Sequence, residues 1–209
     1  PARSRAVRLR QRGLVAGGWR LCACHPQALF YSRPLFIMYR PHEILAKMSP
    51  ELGIQLLAFI QTKEPGLYQA TIANLCKQRK LRPVFIERKP KNERLAFIAS
   101  LLGRPQNESI TAHLLQIWFV GNHTKLLCDF LDALGIKHDE HGTVESLPPA
   151  PPKEDLKRAI ETVRASRDPA VVAVYMHSFQ ALDDEGGWST LEELLKGDPQ
   201  LELGAAPAA

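Results

Sequence analysis

Acidic residues are absent from the first 37 positions, which carry seven Arg, no Lys, no Asp and no Glu. The other 172 residues hold 20 basic and 22 acidic side chains, so the overall charge of +5 comes from the opening segment and not from the body. That segment has no clear periodicity and runs into Met38 just before the first well-formed helical pattern. We read 1–37 as a leader outside the folded domain, an upstream translation or a targeting segment, with Met38 as the natural start; an Arg-rich, acid-free mitochondrial presequence is the competing reading.

Long apolar runs are missing too. The longest, Leu114 to Val120, is well short of the roughly 18 residues a membrane span needs and suits a buried helix. No membrane partner is expected. Cysteine is scarce, with four residues too scattered for a disulfide framework, and this favours a reducing, cytoplasmic setting. Cys22, Cys24 and His25 resemble half of a zinc site with no second half at ligand spacing. No phosphate-cradling Gly loop and no nucleophile elbow occurs, so neither a cofactor nor a catalytic residue is assigned, and a non-enzyme is favoured.

What remains is an ordinary globular composition, 45% hydrophobic and 23% charged, patterned mostly for helices. The expected fold is mainly α, a compact domain of seven or eight helices with a minor β element. Ser49 and Pro50 open one helix as cap and first residue, with Leu52, Leu56, Leu57, Phe59 and Ile60 facing inward. A second helix has Leu67, Ala70, Ala73, Leu75 and Cys76 as its expected buried stripe. Residues 83–87, "PVFIE", are short, β-branched and aromatic, and read as a strand. The strand would pair with a hairpin over 136–147, turning at "DEHG".

Residues 110–135 are long enough for one helix, but their polar residues fall on two nearly opposite faces. A break at Gly121 and Asn122 follows, with a central buried helix before it. Pro148 to Pro152 form an extended connector. Beyond it come three helices, with Asp168 capping one and Ser189 and Glu192 spaced as a capping box for another. The expected organisation is a helical core over 38–147, the connector, a three-helix subdomain over 153–203 packed on that core, and a flexible tail over 204–209.

One stretch stands out for charge. Residues 74–95 carry eight Lys or Arg against two Glu. Lys77, Arg79 and Lys80 fall at a helix C-terminus, where the dipole favours them. Arg88, Lys89, Lys91 and Arg94 instead surround a helix start behind Pro90, where the dipole opposes positive charge. These four are the candidate anion or nucleic-acid contact. The aromatics nearest to them, Phe85 and Phe97, read as core residues, so no stacking platform for single strands is expected. Trp188, following an acidic, Gly-containing approach, is the candidate contact for a protein partner. His138, Asp139, Glu140 and His141 offer a third, weaker reading, a metal-dependent enzyme. The leading functional expectation is a non-catalytic interaction or regulatory module with an unidentified protein partner, with nucleic-acid binding as the alternative.

Overall fold

Proline sets the first helical residue of many of the helices in this chain. In the computed structural model α1 (Pro41–Lys47), α2 (Pro50–Lys63), α3 (Pro65–Arg79) and α4 (Pro83–Glu87) all start on it. So does α9 (Pro169–Leu182), which follows α5 (Lys91–Leu102), α6 (Glu108–Asn122), α7 (Thr124–Ala133) and α8 (Lys153–Ser166) and precedes α10 (Ser189–Gly197). The ring fixes φ for a helix, and the missing N–H is one the first turn cannot use anyway. Short 3-10 turns at Pro105–Asn107 and Pro199–Leu201 complete the elements. The structure describes residues 39–144, 146, 148–182 and 187–204; the leader expected over 1–37, the Cys22–His25 half-site and the end of the tail lie outside them.

Ten α-helices and no strand occur among the described residues, so the chain is mainly α, with more and shorter helices than the pattern suggests. The expected strand at 83–87 is helix α4. Pro83 supplies a helix start, Arg82 before it is extended (φ −85°, ψ 136°), and one turn closes before Pro90 intervenes. The expected hairpin is also absent among the described residues. Asp139 Oδ1 accepts from His141 N at 2.9 Å and Thr143 N at 2.8 Å, and this side-chain turn takes the place of a strand ladder. Gly142 within it has φ +73° and passes Leu127 so closely that a Cβ would lie 2.6 Å from the Leu127 Cβ.

A continuous core runs from Ile44 in α1 to Leu203 beyond α10. α2 lies against α3, α5 and α6, while α9 touches α1, α6, α8 and α10. α6 is the central buried helix, with Leu114, Leu115, Trp118 and Phe119 inside. It breaks at His123, one residue beyond the expected place. Gly121 is still helical and is needed for contact, since a Cβ there would meet the Phe59 ring at 2.7 Å. Asn122 does not cap α7, and the Thr124 hydroxyl donates back to the Val120 carbonyl. On α3 the buried stripe is Tyr68, Thr71, Ile72, Leu75 and Cys76. Ala70 and Ala73 face out, because burying Tyr68 and Ile72 removes more apolar area from water than burying two alanines.

Ser49 Oγ accepts from Leu52 N at 3.3 Å, and Asp168 Oδ1 accepts from Ala170 N at 2.9 Å, as the sequence leads one to expect. Ser189 does not cap. It is the first residue of α10, after Trp188.

Candidate functional site

α3 ends in a left-handed turn at Lys80 (φ 54°, ψ 34°), and Leu81 N donates to Cys76 O at 2.9 Å. Lys77 and Arg79 sit in the last turn, where the helix dipole favours them. This turn delivers the chain to α4, which is too short to have a proper inward stripe. Ile86 is fully buried and anchors it. At about 100° per residue, the two positions before Ile86 rotate away from the core. Val84 is 49% and Phe85 52% exposed, the two large apolar side chains left open among the described residues. Phe85 is thus a surface residue and not the core residue that its sequence context suggests.

Pro90 then caps α5 without any side-chain hydrogen bond. The four cations expected around that start do not gather as open charges. Lys89 Nζ is 2.8 Å from Glu93 Oε1, and lies 5.5 Å and 5.3 Å from the centroids of the Phe85 and Phe97 rings. Arg94 turns inward, its Nη1 donating to the Glu87 carbonyl at 3.2 Å. It sits beside the buried Tyr68 phenol, whose pKa burial pushes up and Arg94 pulls back. Arg88 and Lys91 remain exposed, with no side-chain hydrogen bond or ion pair among the described residues. Two cations therefore have structural work, and two are open.

Together these residues form a shallow concavity of about 590 Å³ lined by Arg82, Val84, Phe85, Arg88, Lys89 and Pro90, with Glu93 at its edge. Phe85 meets Phe97 edge-on at 6.1 Å, so the exposed ring is held from behind. Sequence reasoning missed Val84 and Phe85 as surface residues and left Arg82 out of the named contacts. The signal for them is Pro83, which starts a helix too short to bury the side chains that come after it.

Trp188 does not lie on a surface. It is 2% exposed, its Nε1 donates to Pro148 O at 3.0 Å, and its ring packs 4.9 Å from Phe179. A partner cannot reach it without unfolding this corner.

The 138–141 cluster is engaged in its own turn. His138 Nδ1 is 2.6 Å from Asp139 O and its Nε2 is 3.2 Å from Asp132 Oδ1, and these contacts, the first foremost, raise its pKa. His141 pairs with Glu140 at 3.5 Å. No three His, Cys, Asp or Glu side chains converge on a metal position among the described residues. Cys128 Sγ lies 3.9 Å from Glu140 O, and burial followed by Asp132 and Asp129 raises its pKa, the reverse of what a reactive thiolate needs.

A second cavity, about 330 Å³, lies between α9 and α10, with Tyr39, His177, Glu192, Asp198 and Glu202 on its walls. Two of its carboxylates are already engaged, Glu192 with Lys196 and Asp198 with Arg164. No described helix is long and apolar enough to cross a membrane. Compared with protein-family models, with curated proteins and with solved structures, the chain gives no match, so its own surface chemistry carries the functional argument.

Proposed function

We propose that the protein is a non-catalytic interaction module whose partner-facing surface is α4 and the concavity beside it. One observation carries this reading: Val84 and Phe85 stand open to water on a one-turn helix, although a continuous core lies directly behind them. An aromatic such as Phe85, braced from behind and flanked by Arg82 and Arg88, is of the kind enriched at the cores of protein interfaces. Covering what is still exposed of the two side chains would contribute about 1.5 to 3 kcal/mol, half or so of the value for burying both fully. A cytoplasmic setting goes with this reading and rests on the cysteine usage, in which both described thiols are free.

The test compares proteins captured from native lysate by the wild type and by Val84→Ser/Phe85→Ser, after matched melting temperatures confirm that both are folded. A partner held by the wild type and depleted at least tenfold on the double variant is the expected result. Identical capture by both proteins removes α4 as the contact surface.

A further inference from the structure

Resting on the reading of α4 as the partner surface, we infer that its occupant is an acidic protein segment carrying one bulky apolar anchor. The floor of the concavity is apolar, through Val84, Phe85 and Pro90, and its rim is positive, through Arg82, Arg88 and Lys89. Glu93 is the acid at its edge, and Lys89 already answers it at 2.8 Å. Arg82 and Arg88 are thus the uncompensated rim charges, and Lys91 adds a third beside them. An apolar side chain seated against Phe85 brings flanking carboxylates to the two guanidinium groups, whose forked donors match a carboxylate in pairs.

The surface is also prepared for this occupant. Ile86 is locked in the core, Phe97 backs the Phe85 ring, and Lys89 is held between both rings and Glu93. The apolar floor needs little ordering on binding, which leaves the Arg82 and Arg88 side chains to be ordered by the occupant's carboxylates, and preorganisation of the floor shows up as affinity.

Two other occupants fit less well. A nucleic-acid backbone would find three open cations, Arg82, Arg88 and Lys91, and would leave Val84 and Phe85 without a purpose. Three phosphate contacts give a log–log salt slope of about −2.7 on duplex, a shallow and weak association. A lipid surface calls for the broad apolar face of an amphipathic helix, and α4 offers two side chains on five residues.

The experiment measures fluorescence anisotropy with the full chain and five probes. These are a labelled twelve-residue peptide of Asp and Glu around a central Leu-Trp pair, the same peptide with Ser for the apolar pair, the same peptide with Lys for every acid, a twenty-base-pair duplex, and phosphatidylserine vesicles. The acidic apolar peptide is expected to bind best, with the Ser and Lys versions at least tenfold weaker. Phe85→Ser and the surface change Arg88→Glu should each weaken it at least tenfold, and melting temperatures matched to the wild type separate loss of binding from loss of fold. Tighter binding of duplex or vesicles overturns the inference, as does an acidic peptide that fails to bind or ignores both substitutions. Lysate capture that depends on Val84 and Phe85 yet survives Arg82→Glu/Arg88→Glu would overturn the acidic occupant and leave the docking surface standing.

Discussion

The Trp188 indole donates to the Pro148 carbonyl at 3.0 Å, joining the start of α10 to the proline connector across 40 residues of chain. The backbone N–H of Trp188 donates to Gln180 Oε1 at 3.1 Å, and Thr190 Oγ1 donates to Pro151 O at 3.3 Å. The connector is therefore fastened at Pro148 by the very residue that the sequence puts forward as a partner contact, and at Pro151 by Thr190. The bulky side chain at 188 is held by both its ring and its donor, and these can be separated. Trp188→Phe keeps most of the packing and should cost about 1 kcal/mol, the net value of one hydrogen bond. Trp188→Ala also leaves a cavity and should cost about 3 to 5 kcal/mol. Urea unfolding of the two variants checks this, and equal losses would show that the bond to Pro148 and not the ring dominates.

Lys80 is the described non-glycine residue with positive φ, at 54°. Its side chain gains from the α3 dipole while its backbone is strained, so a single substitution mixes two effects. Lys80→Ala removes the charge and keeps the strain, whereas Lys80→Gly removes both. The glycine variant should be more stable than the alanine variant by about 1 kcal/mol, the cost of the left-handed region for a residue with a Cβ. In a chain of this size that is a difference of about 2 to 4 °C in melting temperature. Indistinguishable melting curves would contradict the left-handed turn.

The end of α5 has carbonyls with no helical partner, and two buried side chains supply donors. Asn107 Nδ2 reaches Leu101 O at 2.8 Å and Thr111 Oγ1 reaches Leu102 O at 3.1 Å. Leaving a buried acceptor unpaired costs about 1 to 3 kcal/mol. Thr111→Val, nearly the same shape, should lose stability in that range, and so should Asn107→Ala. Chemical denaturation with an unchanged m-value is the check. A Thr111→Val protein as stable as the wild type would mean that the Leu102 carbonyl finds another donor.

Where local chemistry has one solution, the sequence is readable. Ser49 before Pro50 and Asp168 before Pro169 combine a capping oxygen with a fixed φ, and both helices start there. The break between α6 and α7 is legible from two incompatible polar faces, and its place shifts by one residue because Asn122 bonds the His123 ring instead of capping α7, while Thr124 bonds back to Val120 O. α4 is not readable. Five residues carry no period, and β-branched Val84 and Ile86 favour strand on propensity alone, while the tertiary anchor at Ile86 decides for helix. The charges near Pro90 are visible in the sequence, but their partners are not. Glu93 is four residues from Lys89 and pairs with it. The Glu87 carbonyl that receives Arg94 depends on α4 ending where it does. An anion site inferred from the charges of single residues gives way to a surface that depends on which of those charges the fold has already used.

The buried His177 and the half-buried His123 give stability a pH dependence with a definite sign. His177 bonds the Leu201 carbonyl through Nε2 at 3.0 Å and packs on Tyr39 at 5.1 Å. Burial lowers its pKa below the ordinary 6.5, and Lys47 lowers it further against the opposing Leu201 bond. Glu192, Asp198 and Glu202 line the cavity it borders. His123 is lowered by burial and by Arg167, with Asp168 opposing. For both, the unfolded chain binds the proton more tightly than the folded one. Stability is complete above pH 6.5 and is lost as pH falls below it toward the folded pKa. His138 runs the opposite way, because its raised pKa favours the folded state at low pH and that contribution fades as pH rises. Its partner Asp132 is exposed, so that contact is screened by water and salt, and the two lowered histidines should prevail. Melting temperatures between about pH 7.5 and 5.5, the range that spans the ordinary histidine pKa, are therefore expected to fall in the wild type and to fall less in His177→Gln, whose amide can still donate to Leu201 O without acquiring charge. A wild-type curve that is flat or rises toward the acid end of that range would mean that His138, and not His177 and His123, sets the acid response.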